Sequence, residues 1–150
     1  MGAETLVLGQ AKLRDIAAEA ESAYPDECCG LLVGRTDDTE IVVTRVVPSP
    51  NLAVDESGRP RRADRFEVDP EIRLAVMRAC EGTDQALVGH YHSHPDHPAE
   101  PSGHDLEMAQ EPELVWLIIA VDKGRAGQAA AHRLDESGHR FREIGLRIAG

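Results

Sequence analysis

The sequence predicts an α+β fold, with a mixed, mainly antiparallel sheet and helices packed on it. Three observations carry this expectation. Apolar segments of strand length recur at residues 5–8, 27–33, 40–47, 86–92, 114–121, 128–134 and 140–148. The turn-rich connections at 37–39 and 135–138 are short enough to close hairpins. Helical spacing is confined to about 12–23, 70–80 and 103–110. The 150 residues are read as one domain, long enough to bury a sizeable core.

Taken in order, Thr5 to Leu8 form an opening strand. In 12–23, Leu13, Ile16, Ala17 and Ala20 share one helical face, with Lys12, Arg14, Asp15, Glu19 and Glu21 on the other; Pro25 stops the helix. Glu27 opens an apolar run ended by Gly34, which pairs as a hairpin with the β-branched segment 40–47. Cys28 and Cys29 are read as packing residues, with Cys29 on Glu27's face and lining whatever site forms there. Residues 48–64 are polar, rich in proline, and locally basic through Arg59, Arg61 and Arg62, with Arg65 just beyond. That length is unusual for a structureless loop. A solvated, mobile loop is the default reading, and a flap over a protein substrate is the functional one.

A short strand is expected at 66–68. Asp69-Pro70-Glu71 reads as N-cap, first helical proline and acidic first turn of the helix that Gly82 ends. Residues 86–92 form the central strand, and 114–121, the most apolar run, a strand buried on both faces with Trp116 in the core. The last two strands form a hairpin.

The chemistry concentrates in residues 90–105, where five histidines and two aspartates fall among three prolines. Imidazole and carboxylate are the ligands that zinc favours among divalent metals. His92 and His94, two apart on an extended segment, point the same way and can aim at one ion. A catalytic zinc takes three protein ligands and keeps one position for water. Asp105 is the candidate third, because Ser102-Gly103-His104-Asp105 has the form of a capping box that sets a carboxylate at a helix start. His90 is read as a core or supporting histidine beneath the site, and His97 and His104 as solvent-exposed.

His92-Ser93-His94, seven residues, Ser102, two residues and Asp105 resemble the signature of the JAMM (MPN+) zinc metalloproteases. That signature also needs an upstream glutamate, and Glu27 fits it within residues 24–34, which resemble the corresponding segment of bacterial members. The resemblance implies Zn2+ held by His92, His94 and Asp105, with Glu27 as general base and Ser102 as an oxyanion or water-positioning donor. It implies the curved-sheet fold that also resembles the cytidine deaminases, although the His-x-Glu and Pro-Cys-x-x-Cys of those enzymes are absent from this sequence. It further implies hydrolysis of a peptide or isopeptide bond after the C-terminal Gly-Gly of a ubiquitin-like or sulfur carrier protein. The competing readings are a noncatalytic MPN scaffold and a zinc-binding module without hydrolysis. Retention of all five motif residues weighs against the scaffold.

The net charge of −11 makes nucleic acid and anionic membranes poor partners. Three cysteines, two of them adjacent, make no disulfide framework and suggest a reducing compartment. No segment has the length of a membrane span, no signal peptide is evident, and Met1-Gly2 is followed by Leu6 where an acylation motif wants Ser or Thr. A cytoplasmic protein, monomeric or weakly dimeric, is expected.

Overall fold

A computed structural model describes residues 3–150; the reading of Met1-Gly2 lies outside them. Seven strands and three helices follow in the order β1 (Thr5–Gly9), α1 (Gln10–Ala23), β2 (Cys29–Thr36), β3 (Glu40–Ser49), α2 (Pro70–Cys80), β4 (Ala86–Pro95), α3 (Gly103–Met108), β5 (Val115–Asp122), β6 (Arg125–Leu134) and β7 (Phe141–Ala149). The mixed α+β class and the two expected hairpins are present.

The sheet, however, is a closed barrel in the order β1-β3-β2-β4-β5-β6-β7, where a curved sheet was expected. Closure comes from β1, which pairs in parallel with β3 on one side and with β7 on the other. β4 and β5 are also parallel, and the remaining neighbours are antiparallel. Closing the sheet removes its exposed edges.

The core fills the barrel and the face under α1. Leu6, Leu8, Ile16, Ala20, Leu32 and Tyr91 belong to its main cluster. Aliphatic residues dominate it, as the scarcity of aromatics requires. β4 and β5 approach closely at Gly89, where a side-chain carbon would collide with the Val115 carbonyl. The β5–β6 hairpin turns at Lys123 and Gly124, whose φ values of 51° and 85° suit a tight turn with the twist of the flanking strands. Asp69 caps α2 as expected, accepting the Glu71 N–H at 2.9 Å.

Several boundaries differ from expectation. β2 begins at Cys29, so Glu27 stands in the approach to the strand and does not open it. Residues 66–68 are not a strand; Val68 makes one isolated bridge to Asn51. The connection 50–69 is not structureless either. The Asp55 carboxylate accepts the N–H groups of Ser57 and Arg59, and Arg61 forms a two-bonded ion pair with Asp64. Polar side chains supply the order that an apolar face would supply elsewhere. No helix among the described residues is long and apolar enough to cross a membrane.

Candidate metal centre

β4 lies between β2 and β5, and its C-terminal half is buried throughout. Two-residue periodicity puts His92 and His94 on one face there. The next seven residues lead to α3, where Ser102 and Asp105 complete a reciprocal capping box. The Asp105 N–H donates to Ser102 Oγ at 3.0 Å, and the Ser102 N–H donates to Asp105 Oδ2 at 2.9 Å. That box holds the Asp105 carboxylate against the histidines.

His92 Nε2 and His94 Nε2 stand 3.1 Å apart. Asp105 Oδ2 is 3.3 Å from the first and 3.1 Å from the second. All three residues are buried. The triangle matches the ligand spacing of a tetrahedral zinc, whose ligand atoms at about 2.0–2.1 Å from the ion lie about 3.3 Å from one another. His94 Nδ1 lies 3.0 Å from the Pro98 carbonyl, a partner that takes a proton from Nδ1 and leaves the Nε2 lone pair facing the cluster. Burial pushes the His92 imidazole below its ordinary value, and the Asp105 carboxyl, which burial alone would raise, is held well below the usual carboxylate range by its polar neighbours, His92 foremost. Two imidazoles and a carboxylate facing inward form a donor set that could hold a metal ion.

Glu27 and Ser102 line one side of this cluster, a cavity of about 250 Å³ that also touches His94 and Asp64. Glu27 is buried, and its Oε1 has no hydrogen-bond partner among the described residues. Burial first, then the Asp105 and Asp64 carboxylates, push its carboxyl up to about 9. A buried carboxyl with no partner and two acidic neighbours is stabilised by a cation close by.

Glu27, distant in sequence, and the four motif residues within 92–105 are thus gathered around one cavity and its buried wall. His90 stays outside the three-residue cluster, packed edge-on to Trp116 at 4.4 Å, and burial pushes it down to about 3. His97 is exposed as expected, but His104 is half-buried and lines a second cavity of about 250 Å³ beside Asp105. Cys29 does not join the cluster. Its thiol packs near the Ser49, Pro50 and Glu67 carbonyls, and burial pushes both Cys28 and Cys29 up to about 12, too high for a nucleophilic thiolate near neutral pH.

Two neighbours escaped the sequence reading. The Phe66 ring stacks on the His92 ring, with centroids 4.2 Å apart and planes 15° from parallel, and Asp64 faces Glu27. The one available signal was an aromatic residue at the end of a long polar connection.

A seven-stranded α+β barrel with a buried His-His-Asp group on β4 and α3 defines the class as a scaffold carrying a candidate metal site. Residues 10–134 match the family described as prokaryotic homologs of the JAB domain. The chain belongs to that family and is a hydrolase of the JAMM type. Among relatives, it is 36% identical over 124 residues to the desampylase of Haloferax volcanii, covering 83% of this chain and 79% of that one. It is 26% identical over 129 residues to the CysO-cysteine peptidase of Mycobacterium tuberculosis, covering 86% and 82%. A solution structure of protein DSY2949 from Desulfitobacterium hafniense superposes with a TM-score of 0.79 at 28% identity, over 96% of this chain and 92% of that one.

Proposed function

We propose that this chain, as a single domain over 1–150, is a zinc-dependent peptidase or isopeptidase. Its substrate in this reading is a ubiquitin-like or sulfur carrier protein, cut after a C-terminal Gly-Gly. The carrying observation is the convergence of His92, His94 and Asp105 on one point beside the unpartnered, buried Glu27 carboxyl. The names of the relatives, a desampylase and a CysO-cysteine peptidase, support a protein conjugate as substrate.

His92, His94 and Asp105 would hold the zinc. When bound, it supplies a charge that acidifies water, polarises a carbonyl oxygen and offsets the burial that keeps Glu27 protonated. Glu27 then takes a proton from the attacking water as the water oxygen bonds to the scissile carbon. It returns that proton to the leaving nitrogen as the carbon–nitrogen bond breaks. Ser102 Oγ already accepts the Asp105 N–H, so its own proton is free to meet the developing oxyanion. No covalent intermediate with the protein is needed.

The test is direct. A ubiquitin-like carrier extended by a short peptide after its Gly-Gly should be cut at that junction by zinc-loaded protein, and a chelator should stop the reaction. If such fusions and a panel of lysine-linked conjugates all stay intact with zinc present, the peptidase reading fails.

A further inference from the structure

The connection 50–69 is tied to the site through one amide side chain. Asn51 Nδ2 donates to the Glu27 carbonyl at 3.0 Å and to the Arg65 carbonyl at 2.9 Å. Asn51 Oδ1 accepts the N–H groups of Ala53 and Glu67, both at 3.0 Å. Two donors and two acceptors are the full capacity of a primary amide, and all four are used.

The partners are informative. The Arg65 carbonyl and the Glu67 N–H flank Phe66, whose ring lies on His92. The Glu27 N–H in turn donates to the Arg62 carbonyl at 2.7 Å, within the same connection. Both backbone groups of Glu27 are therefore held by the connection that Asn51 closes. Glu27 lies outside β2, so the sheet ladder does not fix it.

We propose that Asn51 is a positioning residue for the reaction. It sets the height of Glu27 over the cluster and the seat of Phe66 on His92, and it touches neither substrate nor metal. This rests on the reading of Glu27 as general base. A misplaced base costs rate in the chemical step and leaves substrate binding largely alone.

The experiment compares Asn51→Ala and Asn51→Asp with wild type, all zinc-loaded, on the carrier–peptide fusion. Aspartate keeps the two bonds accepted from the Ala53 and Glu67 N–H groups and sets its second oxygen against the Glu27 and Arg65 carbonyls, so it opposes the tie to Glu27 while the acceptor half of the network remains. Both variants should lose about tenfold to a hundredfold in kcat with KM nearly unchanged and zinc retained. Hydrogen exchange at the Glu27 amide should speed up, while exchange along β4 stays as in wild type. In a Glu27→Gln background, replacing Asn51 should add less than about twofold, because residues acting through one another are not additive. Unchanged kcat, a loss confined to KM, or additivity with Glu27→Gln each overturns the proposal. Near-normal turnover by Glu27→Gln alone, with zinc bound, instead overturns the general-base reading beneath it.

Discussion

Glu27 should make the metal-free protein unusually sensitive to alkali, and Glu27→Gln should remove that sensitivity. The carboxyl is raised from an ordinary 4.5 to about 9, by burial first and then by Asp105 and Asp64. A raised carboxyl pKa means that the folded state keeps a proton the unfolded chain has released. Stability is then highest below the unfolded value and falls as pH climbs from about 4.5 towards 9. Each unit is worth about 1.4 kcal/mol, so the two and a half units up to pH 7 cost roughly 3.5 kcal/mol. In a chain of this length that corresponds to roughly 7–14 °C in melting temperature. Glutamine fills the same space and has no proton to lose. The assay is thermal unfolding of chelator-treated wild type and Glu27→Gln at pH 5, 6, 7 and 8. The variant should gain on wild type at each step, and zinc should narrow the gap by supplying a compensating charge. A gap independent of pH, or one that closes as pH rises, would refute the account of a buried, unpartnered carboxyl.

His92→Ala, His94→Ala and Asp105→Ala should each lose stoichiometric zinc by mass spectrometry, whereas Ser102→Ala should keep it and lose turnover. Phe66→Ala should retain zinc and cost on the order of 1–2 kcal/mol in urea unfolding, since a stacked ring contributes about 0.5–1.5 kcal/mol beyond its buried area. Brief treatment with iodoacetamide at pH 7 should leave activity unchanged, because burial holds the Cys28 and Cys29 thiols protonated; rapid inactivation tracking their alkylation would reopen a thiol mechanism.

Legibility in the sequence followed the range of the interactions. Helix α2 could be read because Asp69, Pro70 and Gly82 each act within one turn. The β2–β3 and β6–β7 hairpins could be read because their connections are short. The barrel closure could not. It depends on Thr5 to Gly9 pairing in parallel with residues 145–149 across almost the whole chain, and neither segment carries a local mark of that partner. In residues 48–64 the sequence showed a long polar connection but not what orders it, for a related reason. Their order comes from the Asn51 amide reaching carbonyls 24 and 14 positions away, a pattern with no periodicity to detect.

The clustering of His92, His94 and Asp105 was legible because the three groups sit on the two most regular devices available, an extended strand and a capped helix start. What the motif did not reveal is why those groups are suited to a cation. That depends on where β4 lies. Flanked by β2 and β5, it buries His92 and His94, and burial pushes the His92 imidazole below its ordinary value. The same burial raises Glu27 and leaves its Oε1 without a partner. On an edge strand the same residues would be hydrated, their charges screened, and the pull towards a cation weaker. The spacing of the motif therefore supplies the direction of the three groups, and the burial of the C-terminal half of β4 supplies the dry surroundings that favour a compensating charge.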